Sequence, residues 1–345
     1  MKFNERLEGL IRWGNAVQAL IEEWESQPDA EGNPLKNIVQ QAHRANAWFL
    51  PENSLRAIKS VAKWLDREEI TSWTSAYPVL KNDVTSFKSI GIVMAGNIPA
   101  VGFHDLLCVL VSGNKAVLKL SSTDQLLIPF LLEVLFDVAQ EFKSFVQISY
   151  KLTDIDAVIA TGSNNSARYF EYYFGKYPHI IRKNRNSVAV LRGKETEVDF
   201  VALGDDIFSY FGLGCRNVSK LYVPPGYDFG DFFRAIEVYG ARMMDHNKYM
   251  NNYDYHRALY LLNSDKFLTN NFLMIRQSAV LATPVSVLNY EVYRDEAHLQ
   301  EMLKAEAENI QCVMGKKELP FGSSQSPGAG DYADRVDTLA FILSV

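Results

Sequence analysis

The chain contains 345 residues, of which 48% are hydrophobic and 22% charged, a balance typical of a folded protein with a substantial core. Its length predicts two domains, and its net charge of −6 argues against a nucleic-acid partner, which would favour a basic surface. The three cysteines are widely spaced and odd in number, so they predict a reducing, cytoplasmic location and no disulfide framework.

The N-terminal quarter is predicted to be helical. Apolar residues between Leu7 and Ile21 recur every three or four positions, and further helix is expected to about residue 67. Charges throughout the first 24 residues argue against a secretory signal peptide. The longest apolar stretch, residues 126–139, is too short for a bilayer and contains Glu133 and Asp137, so we predict a buried helix and no membrane span.

The next segment alternates short β-rich runs with helical stretches. The β-rich runs are residues 89–102, 115–121, 146–150, 157–163 and 187–193, and the helical stretches are 102–112, 123–141 and 165–176. This alternation predicts an α/β fold with a doubly wound parallel sheet. Such sheets bind ligands at the carboxyl ends of their strands, where Asn97, residues 119–122 and residues 161–163 would lie.

A second α/β segment is expected after residue 193. It contains a β-rich run at 219–225, a helix at 228–243, an apolar run at 257–263, a strand at 286–293 and an acidic helix at 294–309. The chain ends in "TLAFILSV", predicted as a terminal strand that another domain or a second subunit covers. We therefore expect domains at 1–190 and 191–325, with residues 326–345 as an oligomerisation segment and a homo-oligomer as the assembly.

The stretch "FGLGCRN" around Cys215 admits two interpretations. A phosphate-binding glycine loop follows a strand and opens a helix, whereas here a helix-compatible stretch precedes the glycines and a strand follows, with Asn217 in place of a third glycine. The alternative is a nucleophilic Cys215 on a tight turn, with its own backbone N–H as an oxyanion donor. A small buried core residue is the remaining interpretation. Cys108, in "LLCVLV", is predicted as core, and Cys312 as structural.

Five motifs in this order resemble those of the aldehyde dehydrogenase superfamily. They are "AGNIP" with Asn97, "NKAVLKLSS" with Lys119, Ser121 and Ser122, "ATGS" with Thr161, Gly162 and Ser163, "GLGCRN" with Cys215, and "NYEVY" with Glu291. The resemblance implies an aldehyde-dehydrogenase-like fold, a doubly wound cofactor domain beside a smaller α/β catalytic domain. It also implies Cys215 as nucleophile and Asn97 as oxyanion donor, with the remaining residues binding a nicotinamide cofactor.

Residues 247–263 and 320–338 are similar to one branch in particular, the fatty acyl-CoA reductases of the bacterial bioluminescence type. The similarity extends from about residue 86 to the end of the chain. It implies reduction of a fatty acyl-CoA to an aldehyde by NADPH or NADH, through an acyl-enzyme on Cys215. It also implies an acyl-CoA substrate and an acyl-activating protein partner.

The chain departs from ordinary aldehyde dehydrogenases at "RKNR", residues 182–185, where they carry a Glu-Leu-Gly-Gly segment. Arg182 thus stands where a glutamate would activate hydrolytic water. Hydrolysis of the acyl-enzyme needs such a base, but hydride transfer to it does not, so the departure favours reduction. Arg182, Lys183, Arg185 and the neighbouring Arg216 are candidates to favour the Cys215 thiolate. The same cluster would equally suit CoA phosphates, a solvated turn or a structural ion pair.

Ser122 bears on the choice of cofactor. It stands three residues after Lys119, where a glutamate in the superfamily favours NAD, so NADPH is the preferred prediction and NADH the alternative. The histidines, including His246 and His256, lack metal-ligand spacing, and we predict no metal site. Two other functions stay open: a cofactor-independent acyltransferase or thioesterase that uses Cys215, and an inactive relative that acts as a binding protein.

Overall fold

The computed structural model describes residues 1–28, 31–82 and 86–345. The chain forms two compact units. Unit 1 comprises Met1–Lys183 and Gly328–Val345, and unit 2 comprises Asn184–Pro327. The strand Asn186–Val190, which the sequence assigned to the first domain, pairs in the sheet of unit 2.

Unit 1 begins with four helices that bury one apolar face each. Two of them begin at standard capping residues. Asn33, immediately before Pro34, accepts a hydrogen bond from the Lys36 N–H at the start of the second helix, and the Asp66 side chain caps the fourth helix. Trp13 is fully buried among them. The helices are α1 (Phe3–Ser26), α2 (Pro34–Ala45), α3 (Pro51–Trp64) and α4 (Arg67–Ser75).

The predicted doubly wound sheet is confirmed in unit 1. Its elements are β1 (Ser89–Val93), α5 (Phe103–Ser112), β2 (Lys115–Lys119), α6 (Leu127–Val138), β3 (Val146–Ile148), β4 (Ala157–Thr161), α7 (Asn164–Phe174) and β5 (His179–Arg182). All pairings are parallel, in the order β3-β2-β1-β4-β5. Val93 pairs with both Lys119 and Ala160, so the ends of β1, β2 and β4 lie side by side. The sequence missed β5, a four-residue edge strand.

The connection from β3 to β4 is a short segment, residues 149–156, without a helix. Leu152 and Ile155 in this segment pack over the sheet at Gly91, where a Cβ would lie only 3.0 Å from the Leu152 Cδ1. A glycine at this position therefore lets the connection lie close against the sheet, in place of a crossover helix.

Unit 2 is built on a second, mainly parallel sheet. Its elements are β6 (Asn186–Val190), α8 (Glu197–Phe208), β7 (Val218–Val223), α9 (Gly230–Ile236), α10 (Gly240–Met244), α11 (Asn247–Leu262), β8 (Leu268–Thr269), β9 (Met274–Gln277), β10 (Val287–Val292), α12 (Glu296–Ala305) and β11 (Ile310–Met314). The strand order is β11-β6-β7-β10-β9-β8, and in this sheet only β8 and β9 pair antiparallel. The apolar run 257–263 lies almost entirely within the helix α11.

The predicted C-terminal strand is wrong: Thr338–Ser344 forms a helix, α13, that packs on α5 within unit 1. Asp337 caps it by accepting a hydrogen bond from the Ala340 N–H. Leu339 and Ile342, three residues apart, are both buried in the core of this unit. A helix brings residues three apart to one face, whereas a strand would point them to opposite faces. The apolar tail is thus covered by its own unit.

Among the residues that the structure describes, no helix combines the length and the apolar character needed to cross a bilayer.

Candidate active site

The loop after β1 carries Asn97, which is exposed to solvent. The Thr123 hydroxyl donates a 2.8 Å hydrogen bond to the Gly96 carbonyl, and the Ser121 and Thr123 hydroxyls lie 2.9 Å apart. A Cβ on Gly96 would collide with both hydroxyls, so only glycine permits this approach. The loop that presents Asn97 is therefore tied to the segment after β2.

Asp124, which the sequence analysis did not single out, makes the second tie between these loops. Its carboxylate accepts hydrogen bonds from the Ala100 N–H at 2.9 Å and the Leu127 N–H at 3.3 Å. Ala100 adopts a left-handed conformation, with φ of 58°, which this bond helps to hold. Burial raises the pKa of the Asp124 carboxyl. One buried carboxylate thus joins the loop after β1 to the start of α6.

The segment after β2 presents two of its three predicted cofactor residues to solvent. Lys119 ends the strand with an exposed side chain, and Ser122 is also exposed. Ser121 is only partly exposed, and its hydroxyl is engaged with Thr123. Lys119 and Ser122 therefore offer a cation and a hydroxyl at this edge, whereas Ser121 supports the loop.

The turn from β4 to α7 carries Thr161, Gly162 and Ser163. Ser163 caps α7 by accepting a hydrogen bond from the Ser166 N–H at 3.2 Å. A Cβ on Gly162 would lie 2.8 Å from atoms of Phe170 and Ser166, so the turn packs closely on the first turns of its helix. This turn lies beside the end of β1, because β4 pairs with β1, and β1 separates it from the end of β2.

The basic cluster 182–185 is not a single patch. The Arg182 side chain is only 5% exposed and donates to Asp105 at 2.5 Å and to the Thr338 hydroxyl at 2.8 Å. Lys183, in contrast, is exposed and pairs with Glu171. Of the interpretations left open above, Arg182 matches the structural ion pair: its buried guanidinium is committed to groups of unit 1.

Cys215 is exposed, in a turn between α8 and β7. Three consecutive residues before this turn, Tyr210, Phe211 and Gly212, have positive φ values of 51°, 57° and 76°. For the two non-glycine residues this conformation costs on the order of 1–3 kcal/mol each, and the surrounding contacts must hold it. Phe211 is buried and packs against His246, with ring centroids 4.1 Å apart and the rings tilted by 31°. The glycine-rich stretch therefore turns the chain sharply and does not begin a helix.

Asn217, buried to 2% exposure, organises the turn around Cys215. Its Oδ1 accepts a hydrogen bond from the Gly214 N–H at 2.9 Å, and its Nδ2 lies 2.8–3.4 Å from the carbonyl oxygens of Asp206, Ile207 and Ser209. In the sequence this residue marked only the absence of a third glycine. Its role depends on carbonyls eight to eleven positions away, which no local pattern reveals.

The buried Asp206 anchors a second loop to the same region of unit 2. Its carboxylate accepts hydrogen bonds from the Gly322 N–H at 2.6 Å and the Ser324 N–H at 3.0 Å. Burial raises the pKa of this carboxyl. Since the backbone carbonyl of Asp206 also receives the Asn217 amide, Asp206 joins the Cys215 turn to the loop "PFGSSQ".

The other two cysteines are buried. Cys108 is fully inaccessible, and burial raises the pKa of its thiol. Cys312 lies on β11, where an Arg216 guanidinium nitrogen is 3.3 Å from its sulfur. Its backbone N–H and the Cys215 carbonyl both bond to the Ser187 hydroxyl. Exposure thus distinguishes Cys215 from the others, and the core prediction for Cys108 is confirmed.

Glu291 lies on β10 in unit 2, partly exposed, with its carboxylate 2.5 Å from the ammonium of Lys220. Lys220 is 1% exposed and also donates to the Ala279 carbonyl at 2.7 Å. Sequence reasoning did not find this lysine, because a lysine in a strand ordinarily points to solvent. The Glu291 carboxylate is therefore already paired with a buried cation.

The predicted residues fall into two groups. Unit 1 brings one group together at the carboxyl edge of its sheet: Asn97, Lys119, Ser121, Ser122, Thr161, Gly162 and Ser163. Cys215 and Glu291 belong to unit 2. Among the described residues, no group of three or more histidine, cysteine, aspartate or glutamate side chains is arranged to hold a metal ion.

The chain matches no protein-family model and no curated protein sequence. Its fold, however, is similar to solved aldehyde dehydrogenases. The aldehyde dehydrogenase KauB from Pseudomonas aeruginosa is 12% identical, with a TM-score of 0.62 over 91% of this chain and 76% of that one. The indole-3-acetaldehyde dehydrogenase AldA of P. syringae, solved in complex with NAD+, is 12% identical, with a TM-score of 0.62 over 92% and 72%.

A putative aldehyde dehydrogenase from Anabaena variabilis, PutA, is similar over a larger share of both chains. It is 12% identical, with a TM-score of 0.61 over 99% of this chain and 90% of that one. The chain therefore has the α/β fold of aldehyde dehydrogenases, as the resemblance implied.

Proposed function

We propose that the protein reduces a fatty acyl-CoA thioester to an aldehyde with NADPH, through an acyl-enzyme on Cys215. The observation that carries this proposal is the exposure of Cys215 on a strained, fully braced turn, while the other two cysteines are buried. A thiol must be accessible to attack a carbonyl, and a fixed turn limits the orientations that it samples. The fold shared with aldehyde dehydrogenases supports an oxidoreductase.

The acylation step uses groups of this chain. The Cys215 thiolate attacks the thioester carbonyl, a new C–S bond forms to Cys215, and the C–S bond to CoA breaks with CoA leaving as a thiolate. We assign stabilisation of the transient oxyanion to the Asn97 carboxamide, which is exposed on its loop. A donor of this kind contributes about 3–4 kcal/mol to transition-state stabilisation.

The second step releases the aldehyde. The reduced nicotinamide, when bound, supplies the hydride that converts the acyl carbon to the aldehyde oxidation level. The bond between this carbon and the Cys215 sulfur then breaks, and the thiolate is restored. No water-activating base is required. At the sequence position where ordinary aldehyde dehydrogenases carry that base, Arg182 is buried in an ion pair, which favours reduction over hydrolysis.

The carboxyl edge of the sheet in unit 1 fits a nicotinamide nucleotide by the chemistry of its groups. Lys119, at the end of β2, and Ser122, three residues later, are both exposed, and Ser163 caps α7 after β4. A cation, a hydroxyl and a helix N-terminus are groups that bind ribose and phosphate oxygens. The neutral Ser122 also leaves room for a 2′-phosphate, so we propose NADPH as the preferred cofactor and NADH as the weaker one.

The test combines acyl-CoA substrates of medium and long chain with NADPH and follows the absorbance of the reduced nicotinamide. Wild-type protein should oxidise NADPH, form aldehyde and release CoA, and intact-mass spectrometry without NADPH should show one acyl adduct. Cys215→Ala should lose both signals. Cys108→Ala, which alters a buried thiol in unit 1, should keep both when assayed well below its melting temperature.

Each alternative function has its own signature in this assay. An acyl adduct without NADPH oxidation would identify an acyltransferase or thioesterase. The absence of both in wild-type protein, with Cys215 unreactive, would identify a binding protein. Equal rates with NADPH and NADH would contradict the cofactor preference alone.

A further inference from the structure

We infer that Asn217 is a positioning residue that sets the orientation in which Cys215 meets its acyl substrate. This inference rests on the proposed function and concerns only residues of unit 2. Asn217 lies two positions after Cys215 and is almost completely buried, so it acts through the turn and does not touch substrate.

The Asn217 carboxamide binds backbone groups on both sides of the strained segment. Its oxygen accepts the Gly214 N–H, and its nitrogen faces three carbonyl oxygens at the end of α8 and the start of the strained segment. These groups lie on the N-terminal side of Cys215. The Asn217 backbone adds two more bonds, from its N–H to the Gly214 carbonyl and from the Ser187 N–H to its own carbonyl.

These bonds hold an unusual backbone conformation. Tyr210, Phe211 and Gly212 all have positive φ values, and the Asn217 amide binds the carbonyls that precede them and the N–H that follows them. A backbone in a sparsely populated region relaxes when its bracing contacts are removed. Without the Asn217 carboxamide, Cys215 would remain exposed but would lose its fixed direction.

The carboxamide of asparagine matches the groups that surround it. The arrangement requires a side chain with one acceptor oxygen and one nitrogen that can donate two hydrogen bonds, and asparagine provides both. An aspartate has the same shape, but its second oxygen would face three carbonyl oxygens. When protonated, its hydroxyl restores one donor. The Asn217→Asp variant therefore converts a positional effect into a pH-dependent one.

The experiment measures the rate of Cys215 acylation by acyl-CoA, by intact mass without NADPH, next to the rate of alkylation by iodoacetamide. Asn217→Ala should reduce acylation by about 10–100-fold, the effect of misplacing a reacting group by about 1 Å. Alkylation should be unchanged, because a small reagent approaches an exposed thiol from many directions. The kcat for NADPH oxidation should fall once acylation limits the rate, whereas kcat/KM for NADPH should not change, because NADPH acts only after the acyl-enzyme has formed.

Asn33→Ala is the matched control, since it removes another buried asparagine whose side chain bonds Leu20 and Lys36, among the N-terminal helices. It should lower the melting temperature but not the acylation rate. For Asn217→Asp, the ratio of its acylation rate to that of wild type should rise as pH is lowered, since protonation restores the donor. This ratio also decides the matter if Asn217→Ala does not fold.

Two outcomes for Asn217→Ala would overturn the inference. One is acylation at the wild-type rate, and the other is a fall in acylation matched by an equal fall in alkylation, which would indicate general disorder of the turn. An Asn217→Asp ratio that does not change with pH would also contradict it. Failure of wild-type protein to form any acyl adduct would instead refute the proposed function, so the two failures are distinguishable.

Discussion

Arg182 donates a hydrogen bond from Nη1 to the Asp105 Oδ2, 2.5 Å away, in the interior of unit 1. A second guanidinium nitrogen donates to the Thr338 hydroxyl, at the start of α13. Arg182 thus connects the edge strand β5, the helix α5 and the C-terminal helix. Substitution of Arg182 should therefore lower the stability of the protein.

Arg182→Ala should lower the free energy of unfolding by about 3–5 kcal/mol, because Asp105 is left buried and unpaired. Urea denaturation measures this change. Lys183→Ala, which removes an exposed ion pair, should change stability by less than about 1 kcal/mol. A stable Arg182→Ala protein with weakened acyl-CoA binding would show instead that Arg182 binds CoA phosphates.

Gly96→Ala should destabilise the protein by about 1–3 kcal/mol and reduce NADPH oxidation, because a Cβ there collides with the Ser121 and Thr123 hydroxyls. The loop would have to move, and Asn97 would move with it. Thermal unfolding and steady-state kinetics test this. Gly230→Ala is the matched change, since a Cβ there meets no atom closer than 3.4 Å, and it should be nearly neutral. Equal effects of the two substitutions would contradict the close-approach argument.

Iodoacetamide should modify one cysteine in the native protein and three in the unfolded protein. Cys215 is exposed, whereas Cys108 and Cys312 are 0% and 4% exposed. Intact mass and peptide mapping identify the modified residue. Native labelling of Cys312 at a rate similar to that of Cys215 would show that the strand β11 opens readily and that burial does not protect its thiol.

Tyr77→Phe should destabilise the protein at neutral pH but not at strongly alkaline pH. The Tyr77 hydroxyl donates to the Asp337 carboxylate at 2.7 Å and lies 2.7 Å from the Tyr332 hydroxyl. Burial, together with Asp337, raises the pKa of Tyr77 from 10.0 to about 12. A raised folded-state pKa means that this stabilisation is complete below pH 10 and is lost as pH rises toward 12.

Below pH 10, the free energy of unfolding of wild type should exceed that of Tyr77→Phe by about 1–2 kcal/mol. Urea denaturation at several pH values across the alkaline range measures this difference. Tyr150→Phe, at a position 93% exposed, provides the baseline. A difference that stays constant or grows between pH 10 and 12 would mean that the Tyr77 hydroxyl is not held as an uncharged donor.

Leu339→Ala should lower the free energy of unfolding by about 2–5 kcal/mol, since this side chain is fully buried in the core of unit 1. Ser344→Ala, at an exposed position in the same helix, should be nearly silent. Differential scanning fluorimetry and urea denaturation compare the two. A neutral Leu339→Ala would indicate that α13 does not pack on α5 in solution.

Sequence patterns alone predicted the alternating α/β order, the parallel sheet of unit 1 and the candidate groups at its carboxyl edge. These features follow from local signals: apolar runs form buried strands, and polar or glycine-containing turns end them. The sequence also separated Cys108 from Cys215, because "LLCVLV" is apolar and "GLGCRN" is a turn.

The remaining features depend on contacts between residues that are far apart in the chain. The terminal "TLAFILSV" satisfies the composition of a strand, but α5 offers it a helical packing partner more than 200 residues away in sequence. Arg182 pairs with Asp105, and Asn217 bonds to carbonyl groups of α8, because folding brings these residues together and not because they are close in sequence. A polar side chain takes its role from the groups that burial brings within hydrogen-bond distance, and the order of residues along the chain does not specify those groups.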